Sequence, residues 1–239
     1  MMLQMEESSF ECKQKLLEFL MTFISENKKN KFTEFIQYRT RHITIVLEDI
    51  YQPHNASAVL RSCDCFGIQD VHIIENSNAY EVNPDVALGS SKWLTLHKYN
   101  GDTNNTPKCI SALKNQGYKI VATSPHKDDY TPETLPLDQK TALVFGTELL
   151  GLTGTVIESA DAFIRIPMVG FTESLNISVS AALLLFTLSQ RLRKSEIEWK
   201  LTNEEELEIK LQWARNVVKK SGLLEQEFLK KLKMEDGDN

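Results

Sequence analysis

The chain has 239 residues, of which 41% are hydrophobic and 25% are charged, a composition ordinary for globular proteins that excludes a low-complexity chain. No apolar run approaches the roughly 18 residues of a membrane-spanning helix, and the N-terminus is acidic before it is apolar, so we expect neither a membrane partner nor a secretory signal. The net charge of −6, averaged over the chain, argues against a nucleic-acid partner.

Residues 1–40 are predicted to form a helical N-terminal extension. Apolar residues recur at helical spacing between residues 9 and 40, as in "LLEFLMTF". The stretch from Lys28 to His42 carries 5 Lys/Arg against 1 Asp/Glu, so this extension ends in a basic segment.

The pattern of residues 41–195 predicts an α/β domain, a largely parallel sheet with helices on both faces, because strands alternate with helices. The predicted strands are "ITIVLEDI" (43–50), "VHIIE" (71–75), the edge strand "WLTLHKY" (93–99), "YKIVAT" (118–123), "TALVFG" (141–146) and "AFIRI" (162–166). Helices are predicted over 55–67, 106–117 and 176–194, and a short helical or turn segment at "PDVALGSSKW" (84–93).

Residues 196–239 are predicted to form a helical C-terminal extension, with a disordered tail at "MEDGDN". Residues 210–233 contain 7 Lys/Arg against 2 Asp/Glu, whereas residues 43–190 contain 9 against 16. Basic charge is therefore concentrated in the two flanks. Such segments either contact a polyanion or are solvated faces of amphipathic helices, and charge alone does not decide between these interpretations.

The cysteines Cys12, Cys63, Cys65 and Cys109 form no CxxC pair and no metal-ligand spacing. Reduced thiols are expected for such a pattern in a cytoplasmic protein. The sequence therefore predicts a cytoplasmic location and no bound metal.

A ligand site is expected beyond the carboxyl ends of the strands, where open parallel sheets bind their ligands. The segments after the last three predicted strands contain Gly146, Gly151 and Gly170, which allow a ligand to approach the backbone closely. The sequence has no GxGxxG after its first strand and no GxxxxGK[ST], which argues against a dinucleotide or a nucleoside triphosphate. A neutral or cationic adenosine-type cofactor is therefore favoured over a polyphosphate.

Five polar residues are candidates for chemistry, and each has a structural alternative. Asn55 is placed to cap a helix, and Arg61 on the same helix could instead form a surface ion pair. Glu148 could fix its loop by accepting backbone N–H bonds, or it could contact substrate. Ser174 and Asn176 precede an apolar helix, and capping would explain either residue alone. Together the five could converge on one pocket.

Three motifs resemble those of the SPOUT methyltransferases, specifically the TrmH-type tRNA ribose 2′-O-methyltransferases. They are "NASAVLR" (55–61), "LVFGTELLGL" (143–152) and "IPMVGFTESLNISVSAAL" (166–183), in the family's order and spacing. "LEDIYQPHNASAVLRSCDCFGI" and "GSSKW" are similar to the same subgroup. The resemblance runs from about Lys31 to Lys194, and the helical flanks resemble the family's extensions less specifically.

The resemblance implies a fold whose C-terminal part forms a deep trefoil knot, an exception to ordinary chain topology. It also implies a homodimer and S-adenosylmethionine bound within the loops of the knot. The residues that would contact this cofactor, mostly through backbone groups, are Thr123, Gly146, Ile166 and Leu175.

The resemblance also assigns roles to the five polar residues. Arg61 matches the family's catalytic arginine, Asn55 its partner, and Glu148, Ser174 and Asn176 match positions associated with catalysis or with holding the site. The family's arginine is proposed as a general base, but a neutral guanidinium costs roughly 7 kcal/mol at neutral pH. We therefore expect Arg61 to position phosphate and ribose and to stabilise the developing alkoxide.

A tRNA substrate follows from the resemblance, with the D-loop guanosine at position eighteen as the implied target. The basic flanks would contact its phosphates, through Lys28, Lys29, Lys31, Arg39, Arg41, Lys219, Lys220, Lys230 and Lys231. Two alternatives remain open. The same motifs could serve ribosomal RNA, or the chain could be a non-catalytic RNA-binding protein that kept the fold.

Overall fold

The computed structural model of the chain describes residues 9–80, 89–127, 129–147 and 150–237, with side chains described up to Leu232. The chain divides into two compact units. One unit is the continuous segment Thr40–Trp199, and the other joins Met1–Arg39 to Lys200–Asn239. The two flanks, which the sequence suggested as separate extensions, therefore belong to one unit.

Within the described residues, Thr40–Trp199 contains six parallel strands in one sheet of order β3-β2-β1-β5-β4-β6. The strands are β1 (Ile43–Glu48), β2 (Asp70–Ile74), β3 (Thr95–Tyr99), β4 (Lys119–Thr123), β5 (Thr141–Phe145) and β6 (Ala162–Ile164). Every residue of the central strands β1 and β5 is buried, as expected for strands covered on both faces. The α/β prediction is confirmed, and β3 lies at the edge.

Helices cover both faces of this sheet. The helices are α3 (Pro53–Phe66), α4 (Thr106–Asn115), α5 (Gly154–Ser159) and α6 (Ile177–Arg193), with a short 3₁₀ turn at Ser90–Lys92. Buried residues of α3 and α6, such as Leu60 and Leu184, pack in one cluster with Ile45 and Leu143. Residues of α4 and α5 form the opposite cluster, in which Leu113 packs with Val46, Ile120 and Val144. Truncating a fully buried leucine of this kind to alanine typically costs about 2–5 kcal/mol.

The bounds of α3 follow from its terminal residues. Pro53 occupies the first turn, where a missing N–H is tolerated, and the preceding Gln52 is the N-cap residue. The helix ends at Gly67, which adopts a left-handed conformation with φ of 77° that glycine takes without strain. The prediction that Asn55 caps this helix is therefore wrong, because Pro53 starts the helix before it.

The flanking unit consists of four described helices: α1 (Phe10–Met21), α2 (Glu26–Ile36), α7 (Asn203–Val217) and α8 (Ser221–Gly237). Leu16 and Leu20 of α1 are buried, and α1 packs against α7 and α8. The ring of Phe32 meets Trp213 edge-on at 5.3 Å between centroids. A capping box of Thr202 and Glu205 starts α7.

Two predicted segments extend beyond the described residues. Residues 234–237 continue α8, so the prediction of a disordered tail is wrong for them. Residues 84–88 of the predicted turn segment lie outside the described residues, as do residues 238–239. No helix among the described parts of the chain is long and apolar enough to cross a membrane.

A cluster of polar side chains lies on β2 and β3. The ring of buried His72 stacks on His97 with centroids 4.5 Å apart, and its Nδ1 is 3.1 Å from the hydroxyl of Tyr99. Asp70 accepts hydrogen bonds from His97 and Arg41, each at 2.9 Å. Burial, aided by the charge of His97, lowers the pKa of His72 to about 4. Burial alone would raise the pKa of Asp70, but His97 and Arg41 outweigh it and lower that pKa.

This cluster predicts a loss of stability in mild acid. The unfolded chain protonates His72 near pH 6.5 and the folded chain near pH 4, so unfolding is favoured as the pH falls between these values. We expect about 2 kcal/mol of unfolding free energy to be lost between pH 7 and pH 5. The pKa of Asp70 is lowered, so its carboxylate stays ionised in this range and the stability that it contributes is lost only at lower pH. Urea unfolding at both pH values measures the loss.

The matched variants are His72→Gln and His54→Gln. His72→Gln should reduce the difference in unfolding free energy between pH 7 and pH 5, because the buried imidazole that causes it is gone. His54 is exposed, so its replacement should leave the difference as it is. An unchanged difference in His72→Gln would contradict the assignment.

Candidate active site

A cavity of about 680 Å³ opens at the carboxyl ends of β4, β5 and β6. This volume lies within the range of about 300–1,000 Å³ typical of small-molecule sites. It is lined by the start of α3, the loops after β4 and β5, the segment between β6 and α6, and parts of α5 and α6. Their lining residues include Gln52, Asn55, Thr123, Ser124, His126, Lys127, Gly146, Leu152, Ile166, Met168, Ser174, Leu175 and Asn176.

The loop after β5 is held closed at its base. Thr147 and Gly151 exchange backbone hydrogen bonds of 2.9 and 3.0 Å. A Cβ at Gly146 would collide with the carbonyl oxygen of Gly151, so the two backbone segments can approach this closely only with glycine at position 146. Glu148, predicted to act in catalysis, and its neighbour Leu149 lie outside the described residues.

Asn176 connects the starts of α3 and α6 at the cavity wall. It is the N-cap residue of α6, where its Oδ1 accepts a hydrogen bond of 2.8 Å from the backbone N–H of Ser178. Its Nδ2 donates to Oδ1 of Asn55 at 3.1 Å, and Asn55 in turn donates to Gln52. The oxygen of the Asn176 amide therefore caps α6, and the nitrogen of the same amide holds Asn55 in the first turn of α3.

The four residues predicted to contact the cofactor lie around the same cavity: Thr123, Gly146, Ile166 and Leu175. The hydroxyl of Thr123 donates to the backbone oxygen of Val144 at 2.9 Å, so this side chain is used in holding β4 to β5. The sequence did not single out His126 and Lys127, which also line the cavity. Lys127 lies over the ring of Phe163, with Nζ 4.1 Å from its centroid.

Arg61 is placed elsewhere. It is exposed and is not among the described residues lining the 680 Å³ cavity. It lines a separate groove of about 530 Å³ between α3 and α6, together with apolar Val179, Leu183 and Phe186 of α6. These three side chains are 45%, 44% and 54% exposed. The chain taken alone thus brings Asn55, Ser174 and Asn176 together and leaves Arg61 on the neighbouring apolar face.

The structure separates the basic candidates into two groups. Lys31, Lys219, Lys220, Lys230 and Lys231 are exposed, Lys28 is half-buried, and Lys29 forms a 2.6 Å ion pair with Glu26.

Arg39 and Arg41 belong to the second group. Arg39 is 5% exposed, with its guanidinium 5.4 Å from the centre of the Trp213 ring, and Arg41 is paired with Asp70. The prediction of surface phosphate contacts is therefore wrong for Arg39, because it packs under an aromatic ring. For Arg41 the ion pair with Asp70 makes a structural role the better explanation.

In the described ranges, no three His, Cys, Asp or Glu side chains gather as ligands for a metal ion. The four cysteines are free thiols, and only Cys65 is exposed.

Comparison with known proteins identifies the family of this chain. Residues 42–186 match the model of the SpoU rRNA Methylase family. A tRNA (guanosine(18)-2′-O)-methyltransferase of Borreliella burgdorferi is 43% identical over 211 residues, covering 88% of this chain and 95% of that protein. The protein of the same name from Thermus thermophilus is 31% identical over 170 residues, covering 71% and 86%.

A solved structure shares the fold over most of its length. The crystal structure of the A. aeolicus TrmH/SpoU tRNA modifying enzyme superposes with a TM-score of 0.71 at 29% identity, covering 81% of this chain and 98% of that one. The motifs, the six-stranded parallel sheet and the cavity at its carboxyl edge agree with this likeness. The chain belongs to the SpoU rRNA Methylase family.

Proposed function

We propose that this protein transfers a methyl group from S-adenosylmethionine to a ribose 2′-hydroxyl of tRNA, at guanosine 18 of the D-loop. One observation carries the proposal: Asn55, Ser174 and Asn176 converge on a single cavity at the carboxyl edge of the sheet. The names of the similar proteins support the substrate and the position.

The cavity suits S-adenosylmethionine in size and lining. Gly146 and Gly151 expose backbone rather than side chains, and Ile166, Met168 and Leu175 supply apolar surface. This combination favours a ligand recognised by backbone edges and apolar contact over a polyphosphate. When bound, the cofactor supplies a methyl group on a sulfonium for in-line displacement by the ribose oxygen.

The chain's own residues align that oxygen and stabilise its developing charge. Asn176, held by its cap to Ser178, fixes the amide of Asn55 at the cavity wall. Ser174, exposed at the cavity rim, is available to the ribose. Arg61, a permanent cation with a planar fork of donors, binds the adjoining phosphate and stabilises the alkoxide. We include Glu148 in the site because it matches the family's second motif.

We further propose that the protein is a homodimer formed through the α3–α6 face, and that the segment from β4 to α6 is threaded as a trefoil knot. The exposed Val179, Leu183 and Phe186 on one helix support the dimer, since monomers rarely leave such apolar faces in water. The position of Arg61 on the same face supports a site completed by the second copy.

Contacts to the rest of the tRNA are proposed for the exposed and half-buried lysines of the flanking unit: Lys28, Lys29, Lys31, Lys219, Lys220, Lys230 and Lys231. The Thr40–Trp199 unit is acidic, so a polyanion would be attracted chiefly by the lysines of the flanking unit. Neutralising several phosphates releases counterions, and binding therefore weakens as the salt concentration rises.

Methylation mapping tests the function. The protein is incubated with labelled S-adenosylmethionine and total tRNA, and each methylated nucleotide is located by its 2′-O-methyl block to alkaline hydrolysis. Label on guanosine 18 is the expected result. Label on ribosomal RNA alone, added in a parallel reaction, would favour the alternative substrate that the family's description suggests. Cofactor binding without transfer to either RNA would contradict the enzymatic proposal.

A further inference from the structure

A buried carboxylate that the proposed mechanism does not use lies at the last residue of β1. Glu48 is 1% exposed. Its Oε1 accepts hydrogen bonds of 2.7 Å from the hydroxyls of Thr106 and Thr153, and its Oε2 accepts one of 3.0 Å from the backbone N–H of Thr153. These three donors are neutral. A carboxylate held in the interior by neutral donors is costly to bury, so each bond matters to the position of the segment it holds.

One of these segments is the wall of the cavity. Thr153 is the N-cap residue of α5 and directly follows Leu152, which lines the cavity. The described parts of the loop after β5, residues 146–147 and 150–152, are joined by the backbone hydrogen bonds between Thr147 and Gly151. Glu48 therefore anchors the far end of a loop whose near end is anchored by the sheet.

Thr106 holds the same carboxylate from the start of α4. Its hydroxyl donates to Glu48 and accepts a 3.0 Å hydrogen bond from Nδ2 of Asn76. The side-chain oxygen of Asn76 accepts from the backbone N–H of Asn105 at 2.7 Å. This chain of hydrogen bonds restricts the Glu48 side chain, so the position of Thr153 is set by a group that cannot readily move.

We propose that Glu48 is a positioning residue that fixes Gly151 and Leu152, at the cavity wall, in the geometry that binds the methyl donor. The proposal rests on the proposed function, because the cavity is taken as the site of S-adenosylmethionine. Glu48 acts through Thr153 and does not itself line the cavity among the described residues. It therefore governs cofactor affinity and leaves tRNA affinity unaffected.

Calorimetry with S-adenosylmethionine tests this on the full chain. Glu48→Gln keeps the shape of the side chain but turns one acceptor into a donor, which must face Thr106 or Thr153. We expect the Kd for S-adenosylmethionine to rise about ten- to a hundredfold, and the Kd for tRNA in filter binding to change less than about twofold. Thermal unfolding measured alongside reports the general loss of stability.

Asp70→Asn is the matched control. Asp70 is a second buried carboxylate of the same sheet, at the opposite end and 5% exposed, bonded to Arg41 and His97. Its replacement should lower thermal stability and leave the Kd for S-adenosylmethionine unchanged. Equal losses of cofactor affinity in both variants would overturn the proposal, as would a folded Glu48→Gln with normal affinity.

A second pair keeps the test decisive if Glu48→Gln does not fold. Thr153→Ser retains both donors to Glu48 and should bind S-adenosylmethionine as the wild type does. Thr153→Val retains only the backbone donor and should bind it about tenfold more weakly. Equal affinities for this pair would overturn the proposal. If the wild-type protein binds no S-adenosylmethionine, the proposed function is overturned as well. If the wild type binds it and only the expected effects of the variants are missing, the role of Glu48 alone is overturned.

Discussion

Replacing Arg61 with alanine is expected to lower methyl transfer to tRNA by about 10²–10³-fold, the usual cost of removing one group that stabilises transition-state charge. The Kd for S-adenosylmethionine should stay unchanged, because Arg61 lies outside the cavity. Arg61→Lys keeps the charge but loses the planar fork, and it should recover only part of the rate. Single-turnover transfer of labelled methyl groups measures both variants.

Mixing two inactive variants decides which chain uses Arg61. Arg61→Ala keeps the cavity, and Asn55→Ala keeps the guanidinium. If Arg61 serves the cavity of the second copy, random reassociation of the two should restore roughly a quarter of the wild-type rate, since half of the dimers have one complete site. If Arg61 serves its own cavity, the mixture stays inactive. Near-full activity of Arg61→Lys alone would refute any need for the fork.

Breaking the α3–α6 face is the second change with a large expected effect. Leu183→Glu would place a carboxylate among Val179 and Phe186, so association would bury an unpaired charge. We expect the protein to become monomeric and transfer to fall at least about a hundredfold, while S-adenosylmethionine still binds. Sedimentation gives the oligomeric state, and calorimetry gives the affinity.

Leu223→Glu provides the control for this variant. Leu223 is also an exposed leucine, at 58%, but it belongs to the flanking unit and not to the α3–α6 face. Its replacement should leave the oligomeric state and the rate unchanged. A fully active monomer of Leu183→Glu would refute both the dimer and a role for Arg61 across it.

The strands and long helices could be predicted from the sequence because local patterns decide them. The β-branched runs of β1 and β5 and the apolar stripe of α6 indicate their burial without knowledge of neighbours. The sequence predicts the start of α3 two residues late, because Asn55 is a favourable capping residue whereas the helix begins at Pro53. Helix bounds depend on such competing terminal residues.

Long-range placement could not be predicted in the same way. Arg39 appeared as one more cation in a basic segment, and only the fold brings Trp213 over it from 174 positions further along the chain. Arg61 shares a helix with Asn55, yet their side chains reach different surfaces, since helical spacing turns them apart. The sequence shows Glu48 only as an acidic residue at the end of a buried strand. Its role cannot be predicted from that, because its partners Thr106 and Thr153 come from distant segments.

The joining of the two flanks into one unit has a consequence for shortened versions of the protein. The residues before Thr40 complete their interior with the residues after Trp199, as Phe32 does with Trp213. Deleting the last forty residues would therefore leave Leu16, Leu20 and Phe32 facing water, and the remaining front helices would lack a core. Either end should be removed together with the other, or both should be kept.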